Sequence, residues 1–226
     1  ISSISNNYCV FLVDPNDILI AMKHIFYHLT AVMVVVVWGM TFISTKVLIV
    51  HGLSPQEIFL FRFLLAYVAV CPISSHSFFA RNLKDELCLA GGGVLGGSLF
   101  FFLQNMALGL TQASNVSFII CTAPLLTAVL TVLSVRTEKV SRGFIYGSIV
   151  ALLGVGLLIF NGSFILRISP LGDLLTLLAS LSWAFYSLVI RSLTRKYSPA
   201  FITRKIFFYG IITILPTFLF LPSLTK

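Results

Sequence analysis

The stretch WGMTFISTK, residues 38–46, follows a run of valines, Val34 to Val37, and sets an indole and an ammonium into an otherwise apolar segment. The stretch WAFYSLVIR, residues 183–191, has the same layout. In both, a Trp precedes a cation by eight residues: Trp38 and Lys46, Trp183 and Arg191. A Ser-Pro pair follows each, at Ser54-Pro55 and Ser198-Pro199. Ser is a good N-cap and Pro a good first helical residue, so each pair reads as a helix start. Each leads into an aromatic-rich segment with basic residues near its beginning, FLFRF at 59–63 and FITRKIFF at 201–208. These matches, in one order, point to an internal duplication.

Composition sets the class. Of 226 residues, 58% are hydrophobic and 10% charged, against about 25% charged in a soluble domain. The apolar runs are long and do not alternate, which predicts an all-α, polytopic helical membrane protein. Seven transmembrane helices are expected, at roughly 27–49, 57–75, 88–108, 114–134, 143–160, 172–190 and 206–222. The first 21 residues are polar and begin with Ile1; a native start at Met22 is expected, with residues 1–25 an N-terminal extension.

Lys and Arg crowd one set of loops: Lys23, Arg81 and Lys84, Arg136, Lys139 and Arg142, then Arg191, Arg195 and Lys196, with Arg204 and Lys205 opening the last span. The other side has Arg167, plus Lys226 at the end of the chain. The positive-inside rule therefore puts the N-terminus in the cytoplasm of a multi-pass protein of the cell membrane, in bacteria the inner membrane. The net charge of +8 is explained by anionic lipid and calls for no nucleic acid. Cys9, Cys71, Cys88 and Cys121 are scattered and read as free thiols.

Span one matches span six and span two matches span seven. The copies are offset by five spans, an odd number, so the second copy enters the membrane from the opposite face. That is an inverted repeat of five helices, here with the second repeat incomplete: residues 26–160 hold the first and 161–226 two helices of the second. Transporters use this arrangement to put a solute site at the repeat interface and to alternate access.

At this level the chain resembles the EamA-type transporters of the drug/metabolite transporter superfamily over about residues 26–222. The resemblance rests on WGMTFISTKVL, LFRFLLA, FFLQNMALGLTQASNVSFIICTAPLLTAVL, RTEKVSRGFIYGSIVALLGVGLLI with Glu138, Gly147, Gly154 and Gly156, and LGDLLTLLASLSWAFYSLVIR. It implies ten helices in two halves, whereas this sequence stops at SLTK after seven, as a fragment or a truncated gene product would. It implies a transporter of small metabolites, with export the expected direction, and no enzyme activity. No cofactor, metal or catalytic residue is expected. Partners expected are the lipid bilayer, a small-molecule solute and a second copy of the chain.

Candidate pathway residues are Trp38, Lys46, Arg62, Gln104, Asn105, Asn115, Trp183, Tyr186 and Arg191. Lys46 and Arg62 have two readings, snorkelling to headgroups or lining an outer mouth. The two Trp residues either pack in the bundle or wall a cavity. The three amides either bond between helices or touch solute. On an ideal helix Lys46 lies 80° from Trp38 and about 12 Å farther along. The run GGGVLGG, Gly91 to Gly97, reads as close helix packing, and Pro124 as a kink. His24 and His28 lack a nearby carboxylate or Cys and read as an interface pair. The acids are assigned to positions outside span middles, so cations facing the pathway favour carboxylate-bearing solutes such as amino acids. A seven-helix receptor or retinal protein, an intramembrane enzyme and a non-functional fragment are the alternatives; the charge bias opposes the first, and the absence of a Ser/His or His/Asp set at catalytic spacing opposes the second.

The orientation is tested with reporters fused ahead of residue 25. A fluorescent-protein fusion is expected to fluoresce and a phosphatase fusion to stay inactive. The reverse pattern would overturn the topology.

Overall fold

A computed structural model describes residues 15–74, 77–134, 141–160 and 169–220. Every regular element among them is helical: α1 (Pro15–Val50), α2 (Pro55–Val70), α3 (Leu83–Gly92), a π-helical segment (Gly93–Leu99), α4 (Phe100–Leu110), α5 (Ala113–Ile120), α6 (Ala123–Ser134), α7 (Arg142–Phe160), α8 (Pro170–Arg191), α9 (Pro199–Ile214) and α10 (Thr217–Phe220). The chain divides into two units, Ile1–Thr41 and Phe42–Lys226. The described part of the first is helix, and its apolar run from Ile25 belongs to the candidate span Ile25–Val50. The packing of helix on helix belongs to the second unit.

All seven expected segments contain helix, and among the described residues five helices are long and apolar enough to cross a membrane: Ile25–Val50, Leu83–Leu110, Ala113–Ser134, Pro170–Arg191 and Pro199–Leu219. The other two expected segments are helical but fall short of that length. Helix α2 has 16 residues, about 24 Å at 1.5 Å per residue, and the apolar segment Arg142–Gly154 is shorter still. Among the loop charges assigned from sequence, Arg136, Lys139 and Arg167, together with Glu138, lie outside the described residues, as do residues 1–14 with Cys9.

Local signals explain several helix ends. The Ser54 hydroxyl accepts from the Glu57 backbone N–H at 3.4 Å, and Glu57 accepts from the Ser54 backbone N–H at 2.8 Å, a reciprocal capping box. The Ser198 hydroxyl caps α9 by accepting from the Phe201 N–H. Between α1 and α2, Gly52 has φ +101°, and the Leu53 N–H reaches back to the Leu48 carbonyl while the Gly52 N–H bonds Ile49. This Schellman turn needs a residue without a Cβ. Pro124 lies in the first turn of α6, just past the break at Cys121–Thr122 that separates it from α5.

Helix α8 is central. It packs on α3, the π segment, α4, α5 and α6, while α9 packs on α2, α3 and the π segment. One apolar core joins Phe42, Phe100, Ala107, Leu108, Val116, Ile120 and Ala179. A second joins Leu89, Ile190, Leu193, Phe201, Ile202 and Ile206. The glycine run makes these contacts close. A methyl group at Gly96 would lie 2.4 Å from the Tyr186 ring, one at Gly93 2.4 Å from Tyr209 Cβ, and one at Gly97 3.3 Å from Gly210 Cα. Near-backbone contact of this kind is how helices associate where lipid removes the hydrophobic drive.

Helix directions follow from two contacts. The end of α1 reaches the α4–α5 turn through Lys46, which bonds the Thr111 carbonyl. The start of α8 lies at that same turn, because a methyl at Gly172 would sit 3.0 Å from Thr111 Cβ. Within the second unit, the Phe42–Val50 part of α1 and helix α8 therefore run in opposite directions.

The glycine contacts give a stability test. Gly96→Ala is expected to cost about 1–3 kcal/mol through overpacking against Tyr186, lowering the apparent Tm in detergent by several degrees. Gly91→Ala, with nothing within 4 Å of the added methyl, is expected to be neutral or slightly stabilising. Equal melting of the two variants would contradict this packing.

Candidate functional site

Lys46 sits near the end of α1, where the last carbonyls of α4 have no helical partner. Its ammonium donates to the Leu108 carbonyl and, at 2.9 Å, to the Thr111 carbonyl. A cation at a helix C-terminus is favourable, by about 0.3–1 kcal/mol and up to ~2 when partly buried. Arg62, on α2, donates to Thr45 Oγ1 at 3.3 Å, and its guanidinium lies over the Phe101 ring at 5.6 Å. Both cations are thus held along α4, at its end and near its start. Phe101 and Leu108 are about 10 Å apart at 1.5 Å per residue.

The partners of both cations are neutral. Among the described residues, the ion pairs join Lys196 to Asp85 and Lys205 to Glu86, and neither involves Lys46 or Arg62. An ammonium has three donors and a guanidinium five. Lys46 uses two of its donors and Arg62 one in these bonds.

The amides lie close by on α4 and α5. Asn105 is buried and its amide donates to the Pro55 carbonyl at 3.1 Å, tying α4 to the start of α2. Its own oxygen, and that of the buried Gln104, have no hydrogen-bond partner among the described residues. Gln104 falls between Phe101 and Leu108 at helical spacing, on the stripe of α4 that holds the two cations. Asn115 donates to Thr111 Oγ1 at 3.4 Å.

The remaining candidates lie elsewhere. Trp183 is half-buried on the central core, 4.8 Å from the Phe100 ring and 5.1 Å from that of Tyr186. Tyr186 fills the space opposite Gly96. Arg191 is exposed in the last turn of α8. Trp38 belongs to the other unit, where its carbonyl accepts from the Thr41 hydroxyl; its expected pairing with Lys46 spans the boundary between units. The structure thus brings Lys46, Arg62, Gln104, Asn105 and Asn115 around α4 and the turn that follows it, while Trp183 and Tyr186, on α8, face Phe100 and Gly96.

A second polar cluster, at the opposite end, corrects the sequence reading. Arg204 and Lys205 do not open a span at 206. Helix α9 starts at Pro199, so both lie within it and both are buried, Lys205 completely. Likewise Asp85 and Glu86, just ahead of the span expected at 88–108, are in the first turn of α3, where the helix dipole favours acids. Lys205 pairs with Glu86, which also accepts from the Tyr209 hydroxyl and, at 2.7 Å, from the Ala80 N–H. Four rings surround the ammonium: Phe78, Phe79, Phe208 and Tyr209, at 4.7, 5.2, 5.6 and 4.9 Å. Asp85 accepts from Lys196 at 2.8 Å and from the Tyr197 hydroxyl at 2.9 Å; that carboxylate holds the Lys196 ammonium above its ordinary pKa. Arg204 donates to the Ser77 carbonyl and lies over Phe78 and Phe201. The signal that could have found this cluster was the Ser198-Pro199 cap, which places Arg204 and Lys205 inside the helix.

Comparison with known proteins bears on this arrangement. The family model of the EamA-like transporter family matches residues 25–160, ending at the last residue of α7. Two proteins of Archaeoglobus fulgidus, each named an uncharacterized transporter, are similar. One is 28% identical over 188 residues, 82% of this chain and 64% of the relative. The other is 26% identical over 196 residues, 84% of this chain and 65% of the relative. The chain spans just under two thirds of the length of these relatives. No solved structure matches. With the family matched over more than half of its residues and its helices apolar enough to span a bilayer, the chain is a multi-pass membrane protein and belongs to the EamA-like transporter family.

Proposed function

We propose that the protein transports small carboxylate-bearing metabolites, amino acids or related solutes, by alternating access between two inverted repeats, and that it works as an exporter. The observation that carries the solute class is the pair of cations along α4. Among the described residues neither Lys46 nor Arg62 forms an ion pair with a carboxylate, and both have donors to spare. In this reading α2 crosses the bilayer, and holding a guanidinium inside a span costs about 2.5–3.5 kcal/mol on an insertion scale. Its only described returns are one hydroxyl contact and one ring face. A carboxylate arriving there would meet charge-assisted hydrogen bonds, roughly twice as strong as neutral ones.

The positive-inside bias puts the N-terminus in the cytoplasm, so the Lys46 end faces outward and the Asp85–Glu86 end inward. The opposed directions of α8 and the Phe42–Val50 part of α1 are what an inverted repeat requires. In this reading Lys46 forms an outer vestibule and Arg62 a deeper station. The buried Gln104 lies between them with an acceptor to offer.

The test is solute flux by the intact transporter in proteoliposomes. Lys46→Gln and Arg62→Gln are each expected to raise KM for a carboxylate solute about tenfold, one lost charge-assisted bond being worth about 1.5–3 kcal/mol. Expression should remain near normal. Wild-type KM in both variants would refute the assigned role.

A further inference from the structure

We propose that the polar cluster joining α3 to α9 is a two-state gate that closes the Asp85–Glu86 end, with the Lys205–Glu86 pair as its latch. The contacts all join residues 77–86 to residues 196–209. Lys196 and Tyr197 reach Asp85; Lys205 and Tyr209 reach Glu86; Arg204 reaches the Ser77 carbonyl; and the Arg81 N–H donates to the Tyr197 hydroxyl at 3.0 Å. Next to them lies the apolar cluster of Leu89, Ile190, Leu193, Phe201, Ile202 and Ile206. Helix α9 is therefore fastened to the entry of α3 by ions and plugged by apolar side chains at one end of the molecule. At the other end the cations have neutral partners on neighbouring helices.

Burial makes this fastening bistable. Lys205 is wholly enclosed, with aromatic rings on its flanks and one carboxylate as counter-ion. Pulling the pair a few ångströms apart without water leaves two unpaired charges in apolar surroundings, at several kcal/mol per ion. Full separation with hydration of both removes that penalty. The cluster thus has two favourable arrangements, paired and closed or separately hydrated and open, with a penalised state between. Such bistability is what lets a packed interface switch rather than yield gradually. The charges do two opposite things: their attraction holds the gate shut, and their hydration stabilises it once open.

That double role yields a test that a merely structural ion pair would fail. The gate rests on the transporter reading, yet its readout needs no solute, so failure of the Lys46 assignment and failure of the gate are seen separately. The reporter is Leu89→Cys in a background without the native cysteines. Leu89 is buried beside the ion pairs in the apolar cluster with Ile202 and Ile206 of α9, so it is uncovered when α9 withdraws. Membrane vesicles carrying the intact transporter are treated with a membrane-impermeant maleimide from the Asp85–Glu86 side. Glu86→Gln, which leaves Lys205 without its counter-ion, is expected to label about tenfold faster than wild type. Glu86→Gln/Lys205→Met, which removes both charges, is expected to label at least threefold slower, because the open state loses its hydrated ions. Lys205→Arg, which keeps the pair, is expected to stay within twofold of wild type. If Glu86→Gln does not fold, the double variant and Lys205→Arg decide. Labelling of the double variant at or above the wild-type rate would overturn the gate, as would a wild-type rate in folded Glu86→Gln.

Discussion

The close approach of helices α8 and α9 to the glycine-rich π segment governs the rest of the second unit. In a bilayer the tails are as apolar as leucine, so helices gain little by burying apolar area against each other. What holds them is contact at short range. Gly93, Gly96 and Gly97 offer no side chain toward Tyr209, Tyr186 and Gly210. The wide π turn over Gly93–Leu99 sits at this contact, as π bulges often do at functional places. With α9 brought that near, Lys205 falls beside Glu86. With α8 brought that near, Trp183 packs at a tilt against Phe100 and the Ser182 hydroxyl donates to the Leu95 carbonyl at 2.7 Å.

Once the helices are placed, charge placement separates the two ends. At one, two acids each meet a lysine, Glu86 with Lys205 and Asp85 with Lys196, and Arg204 rests on the Ser77 carbonyl and two rings. At the other, Lys46 rests on carbonyl oxygens and Arg62 on a hydroxyl and a ring. Neutral partners orient a cation and lower the cost of its burial without discharging it. In the proposed reading the cations at the Lys46 end hold an anion in passing, and the ion pairs at the far end keep it on one side at a time.

Much of the fold could be read locally. Both Ser-Pro pairs are helix starts because the serine oxygen and the fixed proline φ act within one turn. Gly91 to Gly97 announced a close contact through sheer lack of side chains. Features made by distant residues could not be read this way. Lys46 finds its carbonyls more than sixty residues away in sequence, so its spacing from Trp38 carried no information about its partner. Hydropathy also misled at the last span: Arg204 and Lys205 break the apolar run, which moved the expected start to 206 although Ser198 and Pro199 had already marked it. The third span, expected to start at 88, likewise left Asp85 and Glu86 outside it, and so hid the pairing of Glu86 with the buried Lys205.

Whether undischarged cations along α4 select for a carboxylate is decided by competition in proteoliposomes containing the intact transporter, with uptake of a labelled small amino acid inhibited either by the unlabelled acid or by its neutral carboxamide. The two inhibitors have nearly the same size and differ in the charge that Lys46 and Arg62 would meet. The acid is expected to compete, and the amide, at tenfold higher concentration, is expected not to. Equal inhibition by acid and amide would contradict selection by charge.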